Sequence, residues 1–287
     1  MIAVWKHELR LYFHSLTAYV FGAFLLVIVG IGAMLYNLQA AVSNFEYVLG
    51  FGSIIYAVIV PLLTMRTIAE ERRQKTDQLL YSLPLSTTRV VLGKYLALLA
   101  VFLVPLAIIA CYPLIFAQYG EVYLPTSYGT LLAFFLMGAA LIAVGIFLSS
   151  LTDNQGFAAG LCVAVILLNY FSVSLSEYVS STAIGSAATL FVLAAALGGA
   201  VYCLTHSETL SYAIALTLMA LVTVLCFVDQ SMFEGLVPRI MTKLSLFAQL
   251  EVFVNGVFDM TSIVYYLSVA ALFLFLSVQS LEKRRYN

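Results

Sequence analysis

Apolar runs of roughly 20 residues recur along the whole chain, and nearly all charged residues fall between them. Hydrocarbon offers the backbone no hydrogen-bond partner, so a run of that length crosses a bilayer as a helix that satisfies its own amides. Only 9% of the 287 residues are charged and 63% are hydrophobic, whereas soluble domains carry ~25% charged residues. Lipid is therefore the solvent for most of this surface, and the chain reads as an all-α integral membrane protein.

The charges bound about eight spans: 16–36, 47–65, 95–117, 129–151, 157–176, 186–204, 210–228 and 262–281. Pro105 and Pro113 are expected to kink the third. An even count puts both termini on one side, and the basic residues say which. With the N-terminus in the cytoplasm, Lys6, Arg10, Arg66, Arg72, Arg73, Lys75, Arg89, Lys94, Lys283, Arg284 and Arg285 are inside, and only Arg239 and Lys243 lie outside.

Three segments are not simple spans. In residues 1–15, Ile2, Trp5, Leu9, Tyr12 and Phe13 share one helical face, and Lys6, Arg10 and His14 another. That pattern suits a helix lying in the membrane interface. Residues 66–94 form a cytoplasmic loop: a charged helix over 66–80, a break at Pro84, and a restart with Ser86 or Thr87 as N-cap. Residues 229–261, punctuated by Gly235, Pro238 and Gly256, read as one or two short helices at the outer surface.

Chemistry is mostly excluded. The sequence has no GxxxxGK[ST] loop to hold phosphates, no HExxH, and no GxSxG elbow. The pair Glu70-Glu71 begins an EExxxR-like protease pattern that fails at Lys75. Cys111, Cys162, Cys203 and Cys226 sit singly in apolar runs, so no disulfide framework follows, and His7 and His14 lack further ligands for a metal. Every Asp, Glu, Lys and Arg falls at a span end or in a loop. A proton- or sodium-driven carrier usually keeps an ionisable group near the midplane, so energy is expected from outside the membrane domain. Asp259 reads as the N-cap of the last span. Gly156 and Gly160 form a GxxxG that with Asn169 gives candidate pathway or dimer contacts.

Residues 61–80, PLLTMRTIAEERRQKTDQLL, followed by Pro84 and the 91–97 stretch VLGKYLA, resemble the second helix and following loop of ABC-2 type transporter permeases. Lys75 stands where that pattern has glycine, so the turn is expected to differ locally. Residues 255–268 and 275–286, with the 150–155 link SLTDNQ, are similar to the gliding-motility-associated branch of those permeases.

The resemblance implies a type V exporter-like domain of six core helices plus an inserted pair at 186–228, in a bacterial cytoplasmic membrane. Residues 1–15 would be a connecting helix carrying Trp5, Lys6 and Arg10. The 66–94 loop would couple to a separate ABC ATPase through Arg66, Glu70, Glu71, Arg72, Arg73, Thr76, Asp77 and Pro84. ATP and Mg would sit on that partner, with no cofactor on this chain. A second permease copy or homologue, the lipid bilayer and an extracytoplasmic accessory protein are the other implied partners; nucleic acid is not. The alternative reading is a non-transporting partner that uses the same loop to regulate or assemble an envelope process.

Overall fold

A computed structural model describes residues 2–75, 86–179 and 234–286, together with 182, 185–192, 195, 216, 217, 219, 220 and 223. Every regular element among these residues is helical. The helices are α1 (Ile2–His14), α2 (Leu16–Ala33), α3 (Glu46–Gly52), α4 (Tyr56–Thr64) and α5 (Ala69–Arg73). They continue as α6 (Thr87–Ile109), α7 (Tyr112–Phe116), α8 (Leu124–Leu151), α9 (Gln155–Tyr178), α10 (Leu236–Leu244), α11 (Leu246–Val254) and α12 (Met260–Tyr286).

Six stretches are long and apolar enough to cross a membrane: Leu16–Gln39, Glu46–Arg73, Thr87–Phe116, Leu124–Leu151, Gln155–Tyr178 and Met260–Lys283. They overlap six of the expected spans, but the second runs on to Arg73 and the third begins at Thr87, so both reach into the loop expected over 66–94. The other two, at 186–204 and 210–228, lie largely outside the described residues.

Met1–Leu168 with Gln249–Asn287 form one compact unit. Its axis is α8, whose apolar window is 78% buried, against 22% for the last span. Small residues allow that burial by letting neighbouring helices approach closely. A Cβ on Gly138 would meet the Phe102 ring at 2.6 Å, and one on Gly145 would overlap the Thr64 side chain. Helices α4 and α6 therefore approach α8 closely, and α12 packs along it as well. The buried hydroxyls use backbone carbonyls: Tyr56 donates to Phe134 O at 2.8 Å, and Thr64 to Val60 O at 2.9 Å. Each such bond lets a polar group enter the core without an orphaned donor.

The second span is the least regular. A 3₁₀ turn at Ser53–Ile55 separates α3 from α4, Pro61 sits within α4, and a turn over 65–68 leads to α5. In the third span Pro105 lies inside a continuous α6, and the break falls at Ala110–Cys111, ahead of Pro113 in the first turn of α7. Proline is tolerated in a first turn, where its missing N–H has no intrahelical partner anyway.

At the start of α12 Asp259 accepts the Thr261 and Ser262 amides at 3.0 and 3.2 Å, as expected of an N-cap. Ser86 precedes α6 in an extended conformation, also as expected, though its side chain makes no capping bond. Residues 235–256 carry the two short helices α10 and α11, with Gly235 and Gly256 at φ +66 and +80 on either side.

The second unit is Asn169–Ala248. In it the Asn169 amide donates to Leu244 O at 3.1 Å and accepts from Leu246 N at 2.9 Å, while Ser245 Oγ donates to Asn169 O at 3.0 Å. These bonds satisfy the elbow between α10 and α11.

Candidate functional site: a buried charge cluster

Helix α1 packs along α6, and the contact is polar at its centre. Spacing of three to four residues puts Trp5, Glu8 and Tyr12 on one face. Trp5 is half-buried, Glu8 and Tyr12 are buried, and Lys6 and Arg10 are exposed. The expectation of a purely apolar inner face needs correcting. Ile2 is 67% exposed, and a carboxylate takes the inward position.

That carboxylate meets Lys94 of α6. Lys94 Nζ donates to Glu8 Oε1 at 2.7 Å, to Glu71 Oε1 at 2.6 Å, and to Thr67 O at 3.1 Å. An ammonium has three protons, and here each has an acceptor. Lys94 is 2% exposed and Glu8 7%. Charges so far from water cost several kcal/mol to desolvate, and only complete pairing offsets that cost. The cluster thus ties three chain segments together: α1, the turn into α5, and the first turns of α6.

Two further contacts brace the turn. Tyr12 donates to Leu63 O at 3.3 Å and lies 3.3 Å from Thr67 Oγ1. Burial pushes its phenol up to about 12, so it stays neutral throughout the ordinary pH range. From α8, Ser149 Oγ accepts the Ile68 and Ala69 amides at 3.2 and 3.1 Å and donates to Met65 O at 3.3 Å. One hydroxyl therefore satisfies backbone groups that the end of α4 leaves open.

The expected coupling residues divide. Arg66 and Arg73 are exposed, and Glu70 is half-buried and paired with Arg73 at 3.2 Å. Glu71 and Arg72 point inward, which corrects the expectation of a uniform charged docking surface. Glu71 holds Lys94, and the Arg72 guanidinium is 2% exposed with Asp153 at 3.9 Å. In the described part of the helix expected over 66–80, the Ser149-bound turn delays the start to Ala69, and α5 ends at Arg73 with a turn at Gln74–Lys75; residues 76–80 lie outside the described residues. Lys75 has φ +56, the left-handed conformation that glycine adopts most easily, so the turn keeps the glycine-type geometry despite the substitution. Thr76, Asp77 and Pro84 lie outside the described residues.

The other candidates are separate from this cluster. Gly156 and Gly160 are exposed, with open space around the Gly160 position. The Asn169 amide bonds the α10–α11 elbow. Among the described residues no three His, Cys, Asp or Glu side chains gather as metal ligands.

Glu8, Lys94 and Ser149 were missed as site residues by the sequence reading. A usable signal existed for Glu8, which falls four residues from Tyr12 on the inward face. Lys94 counted only as one more cytoplasmic cation, and nothing local marks Ser149.

Six spans joined to a short amphipathic helix and a charge-locked turn define a multi-pass, all-α membrane protein. The chain matches the family described as ABC-2 family transporter protein over residues 31–228, and it belongs to that family. It is a permease component of an ABC transporter, and membership implies an ABC ATPase as partner. No curated protein and no solved structure matches the chain.

Proposed function

We propose that this chain is the membrane-spanning half of an ATP-driven exporter. It dimerises in a bacterial cytoplasmic membrane and takes its energy from an ATPase docked on residues 66–94. The observation that carries this reading is the Lys94 cluster. A push on the Glu70–Arg73 edge of α5, where Arg73 is exposed, reaches Glu71 on the same helix, and from there α1 and α6 through one ammonium. A solvated loop has no such link. Both termini and the 66–94 segment are then cytoplasmic, α10 and α11 lie at the outer surface, and 186–228 is an inserted pair that raises the span count to eight. The likeness to the gliding-motility-associated branch rests chiefly on residues 255–286, beyond the matched segment, and the fold is the type V exporter class within this reading.

The test is co-purification with an ABC ATPase from the same cells, followed by reconstitution. Glu70→Arg with Arg73→Glu should leave the spans folded yet abolish the permease's effect on ATP turnover. An unchanged turnover would show that the ATPase engages elsewhere. ATP turnover that responds to the permease while nothing crosses the proteoliposome membrane would instead favour the regulatory reading.

A further inference from the structure

In the second unit, α10 presents a mixed face. At about 100° per residue, Arg239, Lys243, Ile240 and Leu244 follow one another around a contiguous arc of about 140°. All four are exposed, Ile240 by 43% and Leu244 by 57%, while Val237, beyond the edge of that arc, is buried. A face bathed in water gains nothing from Ile and Leu, and one facing only acyl chains gains nothing from two cations. The two kinds side by side are the composition of a lipid interface.

Depth points the same way. The α10–α11 elbow is bonded to Asn169 of α9 through Leu244 O, Leu246 N and Ser245 Oγ. Asn169 lies eight residues, about 12 Å of helical rise, before Glu177, the charge that marks the end of the fifth span. Lys243 adjoins the elbow, and Arg239 is one turn, about 6 Å, from it. An exposed cation rooted inside a span is costly unless its side chain reaches an anion at the membrane surface. Arg239 forms no ion pair among the described residues. Its Nε lies 3.9 Å from where a Cβ on Gly235 would sit, so the side chain leans away from the elbow, toward the end of α10 that follows the exposed Glu234.

We infer that α10 holds an anionic phospholipid: Arg239 and Lys243 take the phosphate, and Ile240 and Leu244 lie along its acyl chains. Charge selects the occupant. The helix carries two cations and no acid, so a zwitterionic lipid, whose own ammonium meets those cations, is the poorer complement. The inference needs only that the fifth span crosses a bilayer. It depends neither on ATPase coupling nor on which side of the membrane α10 faces.

The experiment uses the full chain with Trp5→Phe and Ile240→Trp, which moves the single indole onto the α10 face. It is reconstituted in vesicles of phosphatidylglycerol and phosphatidylcholine, with one lipid or the other carrying brominated acyl chains that quench an indole they touch. Quenching should report about tenfold preference for phosphatidylglycerol over phosphatidylcholine. Arg239→Gln with Lys243→Gln should abolish that preference, and Arg239→Lys should retain it. An indole introduced instead by Val264→Trp, at a lipid-exposed position of α12 with no cation within a helical turn, should show none. Leu244→Trp repeats the measurement if Ile240→Trp does not fold. An indole at 240 that neither brominated lipid quenches means that water, protein or a second copy covers the face, and it overturns the inference. So does equal quenching by the two lipids, a preference at 264 that matches the one at 240, or a preference that survives the double substitution.

Discussion

The two ends of the second span treat an inward-facing acid in opposite ways. At the α5 end Glu71 shares an ammonium with Glu8, and every proton of that ammonium is used. At the α3 end Glu46 has two hydroxyl donors crowded on one oxygen and none on the other. A saturated cluster fastens parts of one molecule together and has nothing left for a ligand. An unsaturated one leaves a buried acceptor without a donor among the described residues. The same residue type thus closes a joint at one end and leaves an open acceptor at the other.

The largest effect should come from cutting the joint. Lys94→Met leaves two carboxylates facing each other without a counter-charge, and breaking such a buried set costs ~3–5 kcal/mol. Thermal unfolding in nanodiscs should show that loss, and Glu8→Gln with Glu71→Gln in the same chain should recover most of it. A cost below ~1 kcal/mol would mean that the cluster behaves as a solvated surface pair, and the contrast between the ends would disappear.

Next comes the stretch that connects the ends. Gly145→Val drives a side chain into Thr64 of α4, and overpacking of this kind costs ~1–3 kcal/mol. A matching loss in Gly138→Val, whose new atoms meet Phe102, would show that α8 holds the second span along its whole length.

A smaller change of opposite sign tests the α5 end alone. Lys75→Gly relieves a left-handed residue and should gain ~1 kcal/mol, seen as slower amide exchange over 69–75. Faster exchange would show that the lysine side chain contributes more than its backbone conformation costs.

The smallest expected effect is at Asp259. Hydrogen bonds from the Thr261 amide and the Ser262 hydroxyl, with a lesser opposing burial effect, hold its carboxyl below the ordinary carboxylate range. A depressed acid contributes stability that is fully present above its unfolded value and lost as pH falls through its folded one. Protection of the Thr261 and Ser262 amides, corrected for intrinsic exchange, should therefore fade only on acidification, and Asp259→Asn should flatten that dependence.

What the sequence made legible was local or one-dimensional. Apolar length located six spans, because a bilayer reads length and composition directly. The Asp259 cap and the glycines at 235 and 256 were visible because caps and turns are settled within a few residues. The Lys94–Glu8 bond was not, since its partners lie 86 residues apart and a charge-side rule counts lysines without asking what they touch. Glu46 escaped for the same reason: at a span boundary it looked like an edge marker, and its hydroxyl donors are 80 and 81 residues away. Gly145 shows the limit from the apolar side. Its role depends on which helix lies across it, and that is decided only when α4 docks on α8.

The 3₁₀ turn at Ser53–Ile55 has a consequence for how the two ends are aligned. Three residues wound at about 120° each, in place of about 100°, advance the azimuth of everything beyond them by about 60° and lengthen the axis by about 1.5 Å. Glu46 and α4 are therefore clocked against each other by that short segment, and the turn over 65–68 adds its own offset before Glu71. The span works as a shaft with a fixed offset between its two keys, and a sequence change that rewound Ser53–Ile55 as ordinary α-helix would leave each key intact but turned away from its lock.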